Sequence, residues 1–287
     1  MNDTVGIAGL GLIGGSLAKA IKARTTSRVL GCDIREDVVA QAMEQGAIDG
    51  ELTDATLAQC GLVIVALYPD DVIAWCAEHF AHMREGTIVV DCAGVKTRIC
   101  EALSPLARAH GLRFVGGHPM AGIERSGFAN SDPALFDGAA MILCEDGRAD
   151  RPALEELRSF FLSLGFGNIK RTTAREHDAV IAYTSQLAHL VSSAYIRSDT
   201  AQRRCGFSAG SFKDLTRVAK LSGDMWTALF FGNRENLLRE ADVFMEHLRL
   251  YRDALAAEDR DAMRELLRSG TALKIADEEE EEKWRRK

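Results

Sequence analysis

The stretch "GIAGLGLIGGSLAKAI", residues 6–21, decides the fold. Gly9, Gly11 and Gly14 stand in G-x-G-x-x-G register. They follow an apolar run, "VGIA" at 5–8, and open a helical pattern. A second apolar run, "VLGCD" at 29–33, ends in Asp33, nineteen residues beyond Gly14. Each piece has a mechanical task in a strand–turn–helix–strand unit that holds a dinucleotide. Gly9 makes the tight turn, Gly11 lets a pyrophosphate approach the backbone, and Gly14 lets helix pack close on strand. The N–H groups of Leu12 and Ile13, free at the helix start, meet the phosphates. Asp33 accepts hydrogen bonds from the adenosine ribose and repels a 2′-phosphate, which favours NAD over NADP. Arg35 lies close enough to soften that preference.

Working outward, "LVIVAL" (62–67), "TIVVD" (87–91), "RFVGG" (113–117), "AMILCE" (140–145) and "NIKRT" (168–172) read as further strands. Several are unbroken Val/Ile/Leu runs, the mark of strands covered on both faces. Helical patterns over 14–24, 36–45, 70–82, 97–110 and 152–164 lie between most of them, so the fold class is α/β. The expected architecture is a doubly wound, mostly parallel Rossmann sheet over 1–172, then an all-helical domain over 173–287. In that second part "REHDAVIAYTSQLAHLVSSAYIRS" (175–198) is apolar nearly all round, as a buried helix is. Phe230, Leu237, Ala241, Phe244, Leu248, Tyr251 and Leu255 draw one apolar stripe down a long helix over about 225–257. So much apolar helix surface on so little chain points to a homodimer formed through this domain, with an intramolecular bundle as the alternative. The charge run "DEEEEEKWRRK" (277–287) reads as a solvated or frayed end.

Composition narrows the class of function. The chain has 287 residues and a net charge of −7, with no basic stripe, which argues against nucleic acid. No apolar run is long enough to span a bilayer, and the start lacks a basic segment and a cleavage site, so no membrane partner or secretory signal is expected. The seven cysteines show neither C-x-x-C nor zinc-like spacing. They read as reduced thiols of a cytoplasmic protein, with no metal site.

The stretch "GGHPMAG" (116–122) places His118 at the carboxyl end of the fifth strand, where ligands bind in open α/β sheets. Pro119 keeps its neighbour extended, and the glycines let another backbone or a ligand come near. An imidazole fixed beside a nicotinamide suits removal of a hydroxyl proton during hydride transfer. The alternative is a histidine that merely ties a loop. His79, His82, His110 and His247 read as surface positions. His189 shares a helix face with Ser185, as a polar notch or a satisfied core group. Arg217, in "SFKDLTRVAKLSGDMW", suits bidentate capture of a carboxylate or else an ordinary surface ion pair.

The combination of "GLGLIGGS", "DCAGVK", "GGHPMAGIERSG", "TSQLAH" and "FKDLTRVAKLSGDMW" resembles the prephenate dehydrogenase family of tyrosine biosynthesis, in order and over nearly the whole chain. The resemblance implies NAD(P)-dependent oxidative decarboxylation of prephenate to 4-hydroxyphenylpyruvate, with a helical domain that dimerises. It implies that His118 is the catalytic base, that Arg217 holds a substrate carboxylate and that His189 lies at the substrate. By the same resemblance Gly210 belongs to the substrate loop, Trp226 approaches from the partner subunit, and Glu124 and His177 stand near the pocket mouth. Two positions depart from the pattern. Gly94 stands where many members carry a serine that supports the catalytic histidine, leaving water, a backbone carbonyl, Lys96 or Thr97 to fill the gap; Lys96 is counted at the substrate. Gln186 replaces the first histidine of the helix motif. There is no extension resembling an ACT regulatory domain, so tyrosine inhibition would act at the active site.

Three other readings stay open at this level. Arogenate dehydrogenase performs the same chemistry on an amine-bearing substrate. A hydroxyacid dehydrogenase would rely on a lysine such as Lys213 or Lys220. A nucleotide-binding scaffold would lack a base and a carboxylate clamp, and both candidates are present here.

Overall fold

The computed structural model describes residues 4–123, 125–145, 151–207 and 209–285. Strands β1 (Thr4–Ala8), β2 (Arg28–Cys32), β3 (Gly50–Glu51), β4 (Leu62–Val65), β5 (Ile88–Asp91), β6 (Arg113–Pro119), β7 (Ala140–Glu145) and β8 (Asn168–Thr173) form one sheet, ordered β3-β2-β1-β4-β5-β6-β7-β8. Helices α1 (Leu12–Arg24), α2 (Glu36–Glu44), α3 (Asp54–Leu57), α4 (Pro69–His79), α5 (Thr97–Ala109) and α6 (Arg151–Ser163) make the crossovers. The Rossmann expectation holds, and the reason for the unbroken apolar runs is visible. On β4, Leu62 and Ile64 enter one core with Leu17 and Ile21 of α1 and Leu157 and Phe161 of α6. Val63 and Val65 enter the opposite core with Val72 of α4 and Ile99 and Leu103 of α5. Each face of the strand is buried, so polar alternation has no place in it.

Two features of the sheet escape the hydrophobic pattern. The edge strand β3 is two residues long, too short to carry a periodicity, and it makes the His118 strand the sixth rather than the fifth. The pairing of β6 with β7 is antiparallel, while β7 and β8 run parallel to each other. Between Pro119 and Ala140 the chain forms a 3₁₀ turn at Phe128–Asn130, with no α-helix among its described residues. A parallel return requires a crossover, usually a helix; α6 supplies one between β7 and β8.

After β8 the chain is helical: α7 (Ala174–Ile181), a π-helical segment at Ala182–Leu187, α8 (Ala188–Tyr195), α9 (Gly210–Thr216), α10 (Gly223–Gly232), α11 (Arg234–Ala256) and α12 (Arg260–Arg285). The chain divides into two compact units, Met1–Leu237 and Leu238–Lys287. The first holds the sheet and the helices through α10. In the second, the rest of α11 packs on α12, with the Tyr251 hydroxyl donating to the Leu266 carbonyl at 3.2 Å.

Three helical expectations need correction. The helix over 175–198 is not enclosed by its own chain, because Val180 and Tyr183 are exposed. The helix expected over 225–257 breaks at Asn233, whose buried side chain bonds sideways to the Asp178 carbonyl and to Gln186. The acidic end is solvated through its described residues, but it continues α12 instead of fraying.

Candidate active site

The glycine turn has the shape that its sequence requires. Gly9 has φ +86°, in the left-handed region that favours glycine, and a Cβ there would lie 2.5 Å from the Ala66 carbonyl oxygen. A Cβ on Gly14 would fall 1.8 Å from the Gly9 carbonyl oxygen, whereas one on Gly11 meets nothing within 4 Å. Gly11 precedes α1, and no side chain caps that helix, which leaves the Leu12 and Ile13 end suited to an anion. Asp33 Oδ2 accepts from the Leu10 N–H at 2.8 Å and Oδ1 from the Arg35 N–H at 3.0 Å, so the acid is fixed beside the turn. The Arg35 guanidinium bonds to Asp37 at 2.5 Å. Both side chains of that pair are exposed. These residues fit a dinucleotide: an open approach at Gly11, an uncapped helix start and a fixed acid one strand over.

The second centre is built where β6 leaves β5. The two strands pair through Val90 and Val115; beyond that point β6 turns its hydrogen bonds to β7, with His118 opposite Ile142. His118 is thus the penultimate residue of β6, at the carboxyl end of the strand as the sequence suggested. The Asp91 side chain takes over at the gap, accepting from the Gly117 N–H at 3.1 Å and the Ala93 N–H at 3.1 Å. Gly117 must lack a side chain, since a Cβ would approach the Asp91 carbonyl oxygen to 2.4 Å. The Lys96 ammonium bonds to Asp91 Oδ2, and both side chains are 0% exposed. Lys96, counted at the substrate from the sequence, is thus committed to a buried ion pair with Asp91.

His118 is supported from behind. Its Nδ1 lies 2.9 Å from Nε2 of His177, and His177 Nδ1 lies 2.8 Å from Asp178 Oδ1. Asp178 also accepts from the backbone N–H groups of Lys96 and Thr97, each at 2.8 Å, where α5 begins. His177 is buried in this chain of bonds, not at a pocket mouth. Neither it nor Asp178 stood out in the sequence as support for the base. The signal available was an adjacent His–Asp pair in the first turn of a helix that Thr173 caps. Glu124, matched to the pocket mouth, lies outside the described residues.

Electrostatics favours a neutral base. Burial pushes the His118 imidazolium well below the usual histidine range, with the neighbouring His177 and the Lys96 ammonium acting the same way and Asp178 opposing them. Burial also lowers His177, against the pull of its bond to Asp178. Burial alone would raise Asp178, but the bonds from His177 and Thr97 outweigh it and hold the carboxyl below its ordinary value.

A third group forms around α10. The His189 ring packs on Trp226, centroids 3.9 Å apart, and His189 Nδ1 lies 2.8 Å from the Ser185 carbonyl oxygen in the π-helical segment. Burial lowers the His189 pKa, and the Arg217 guanidinium acts in the same direction. The polar notch expected at Ser185 and His189 is therefore made by the Ser185 backbone. Trp226 meets His189 of its own chain, one turn of α10 before Leu229. Leu229 in turn covers Gly94: a Cβ there would lie 3.0 Å from Leu229 Cδ2 and 3.8 Å from His118 Nε2. Gln186 is buried and ties this arrangement together, donating to the Leu229 carbonyl at 3.0 Å and accepting from Asn233 at 2.8 Å. Gly210 is the first residue of α9, where a Cβ would lie 3.9 Å from Asp214 Oδ2.

Residues 17–169 match the family model for the prephenate dehydrogenase nucleotide-binding domain, and residues 173–269 match that for its dimerization domain. The chain belongs to the prephenate dehydrogenase family. The glycine turn precedes the matched stretch and rests on its own geometry. Among relatives in this family, the prephenate dehydrogenase of Lactococcus lactis subsp. cremoris is 31% identical over 278 residues, 94% of this chain and 76% of the relative. The crystal structure of A. aeolicus prephenate dehydrogenase in complex with hydroxyphenyl propionate and NAD+ is similar at a TM-score of 0.82 and 26% identity, over 96% of this chain and 98% of that one. Synechocystis arogenate dehydrogenase is similar at 0.81 and 25%, over 95% of this chain and 99% of that one.

Proposed function

We propose that this chain is an NAD-dependent prephenate dehydrogenase, converting prephenate to 4-hydroxyphenylpyruvate and CO2. The observation that carries the reading is the His118 imidazole, held through its Nδ1 by His177, in a chain matched by both domains of the family. Bound NAD supplies the acceptor for a hydride. His118 supplies the base: its Nε2 takes the proton from the ring hydroxyl as that C–O bond becomes a carbonyl and hydride leaves the same carbon. The ring carboxylate then departs as CO2, its bonding pair entering the ring, and the resulting phenolate recovers the proton from His118. The proton is borrowed and returned, so the ring nitrogen must be neutral before turnover and need not exchange with solvent.

Arg217 is assigned to a substrate carboxylate, with His189, Trp226 and Gly210 around the substrate. Residues 1–172 are assigned to the dinucleotide, and residues 173–287 to substrate binding and a homodimer. The dimer accounts for Leu248, Leu255, Leu267 and Leu273, each more than half exposed in the single chain. A cytoplasmic setting suits seven cysteines that are all free thiols. No helix among the described residues is long and apolar enough to cross a membrane.

The likeness to the Synechocystis enzyme supports arogenate as the second reading. Steady-state turnover of prephenate and arogenate, each with NAD and NADP, tests both. Prephenate with NAD is expected to give the highest kcat/KM, and a preference for arogenate would replace this reading with the second.

A further inference from the structure

A base of this kind works only if its lone pair is on the nitrogen that faces the substrate. The hydrogen bonds behind His118 determine which nitrogen that is. An ionised carboxylate can only accept, and Asp178 is held ionised by the N–H groups of Lys96 and Thr97 as well as by His177. His177 therefore carries its proton on Nδ1. Being neutral and buried, it presents a lone pair at Nε2. That atom lies 2.9 Å from Nδ1 of His118, so His118 is the donor and holds its proton on Nδ1. The remaining atom, His118 Nε2, is left with a lone pair on the side of Gly94.

We propose that His177 and Asp178 are positioning residues that fix the tautomer of His118, making its Nε2 the base and supporting from behind a ring that has no hydroxyl at position 94. This rests on the dehydrogenase reading above. The charged groups acting on the two rings are Asp178 from α7, Lys96 from the turn before α5, and Asp91 from β5. Two carboxylates against one ammonium leave a single negative charge, which a proton arriving at His118 Nε2 neutralises. No proton needs to leave Nδ1 of either histidine; the chain orients and stabilises, and transfer occurs at Nε2 alone.

The test is a long-range ¹H–¹⁵N spectrum of the imidazole rings in the full-length protein at pH 8, assigned with His118→Asn and His177→Gln. Both His118 and His177 are expected in the Nδ1–H form. In kinetics, His177→Gln keeps an oxygen that can accept from His118 and retains most of the turnover. His177→Leu removes the acceptor and lowers kcat by about 10²–10⁴-fold with the prephenate KM little changed, the scale on which an acid–base group acts. Asp178→Asn is expected to lower kcat by about 10⁴-fold, as loss of the orienting carboxylate does in a comparable chain. If that variant fails to fold because α5 loses its anchor, the wild-type spectrum and the Gln/Leu pair decide. A proton on His118 Nε2, or a Leu variant as active as the Gln variant, overturns the proposal. A wild-type protein showing both Nδ1–H forms but no turnover of prephenate or arogenate overturns the dehydrogenase reading and leaves the tautomer assignment standing.

Discussion

The Gly9 carbonyl oxygen stands 1.8 Å from the place a Gly14 Cβ would occupy, while the space beside Gly11, two residues from that carbonyl, is open. One fingerprint therefore contains two kinds of glycine. Gly14→Ala forces helix and strand apart and is expected to destabilise the fold, lowering Tm. Gly11→Ala is expected to leave Tm within a degree or two of wild type, since a methyl there strains nothing in the protein, yet to weaken NAD binding because it occupies the pyrophosphate approach. Thermal melts and NAD titration of the two variants check this. Unimpaired NAD binding by Gly11→Ala would remove the dinucleotide from that position.

His118→Asn tests the base directly. Asparagine keeps a polar group in the strand but cannot take up a proton near neutrality, so kcat is expected to fall by about 10²–10⁴-fold. NAD binding is expected to persist, because the glycine turn and Asp33 form a separate hydrogen-bonded assembly. Near-normal turnover would exclude His118 as the base.

The depressed histidines set the response to pH. His118, His177 and His189 all have their pKa below the ordinary histidine value of 6.5. In the window between that value and the folded-state values, the unfolded chain binds more protons. Stability therefore falls as pH drops below about 6.5, with a slope of at most about 1.4 kcal/mol per pH unit for each histidine kept neutral. Activity has the same sign: the acid limb of kcat/KM, which reports the free enzyme, lies below pH 6.5. An acid limb at or above the ordinary histidine range would contradict burial of the base.

Much of this molecule was legible because β4, β5 and α1 obey local rules. Their residues face two cores or one, and composition alone records that. What escaped was set by partners distant in sequence. His118 and His177 are 59 residues apart, and their contact depends on how α7 lies against the start of α5. Lys96 looked available to a ligand because nothing in "DCAGVK" shows that the chain turns back and brings its ammonium onto Asp91. Gln186 stands where the family's helix motif has its first histidine, and the motif gives no sign that it holds the Leu229 carbonyl and Asn233. The helix break at Asn233 was hidden for the same reason: its cause is the carbonyl of Asp178, 55 residues earlier.

Arg217 offers a cation beside His189, whose pKa it helps to lower. If it grips a substrate carboxylate, Arg217→Ala removes a charge-assisted hydrogen bond worth about 1.5–3 kcal/mol, a rise of roughly 10- to 150-fold in the prephenate KM. Arg217→Lys keeps the charge without the planar fork and is expected to fall between the two. An unchanged KM in the alanine variant would place Arg217 outside the substrate site.

Asn233 separates a structural effect from a chemical one. Its amide donates both to the Asp178 carbonyl at 2.7 Å and to Gln186 Oε1 at 2.8 Å, inside a region closed to water. Asn233→Ala leaves two buried acceptors without that donor, at a cost of about 1–3 kcal/mol for an unsatisfied group. For a chain of this size Tm should fall by about 2–5 °C. Because the amide meets the Asp178 backbone and not its carboxylate, the bond from His177 Nδ1 to Asp178 survives in the folded fraction. The kcat per folded molecule, and its pH profile below 6.5, are therefore expected to stay near wild type. A variant with normal Tm but a displaced acid limb would mean that Asn233 acts on the histidine pair itself.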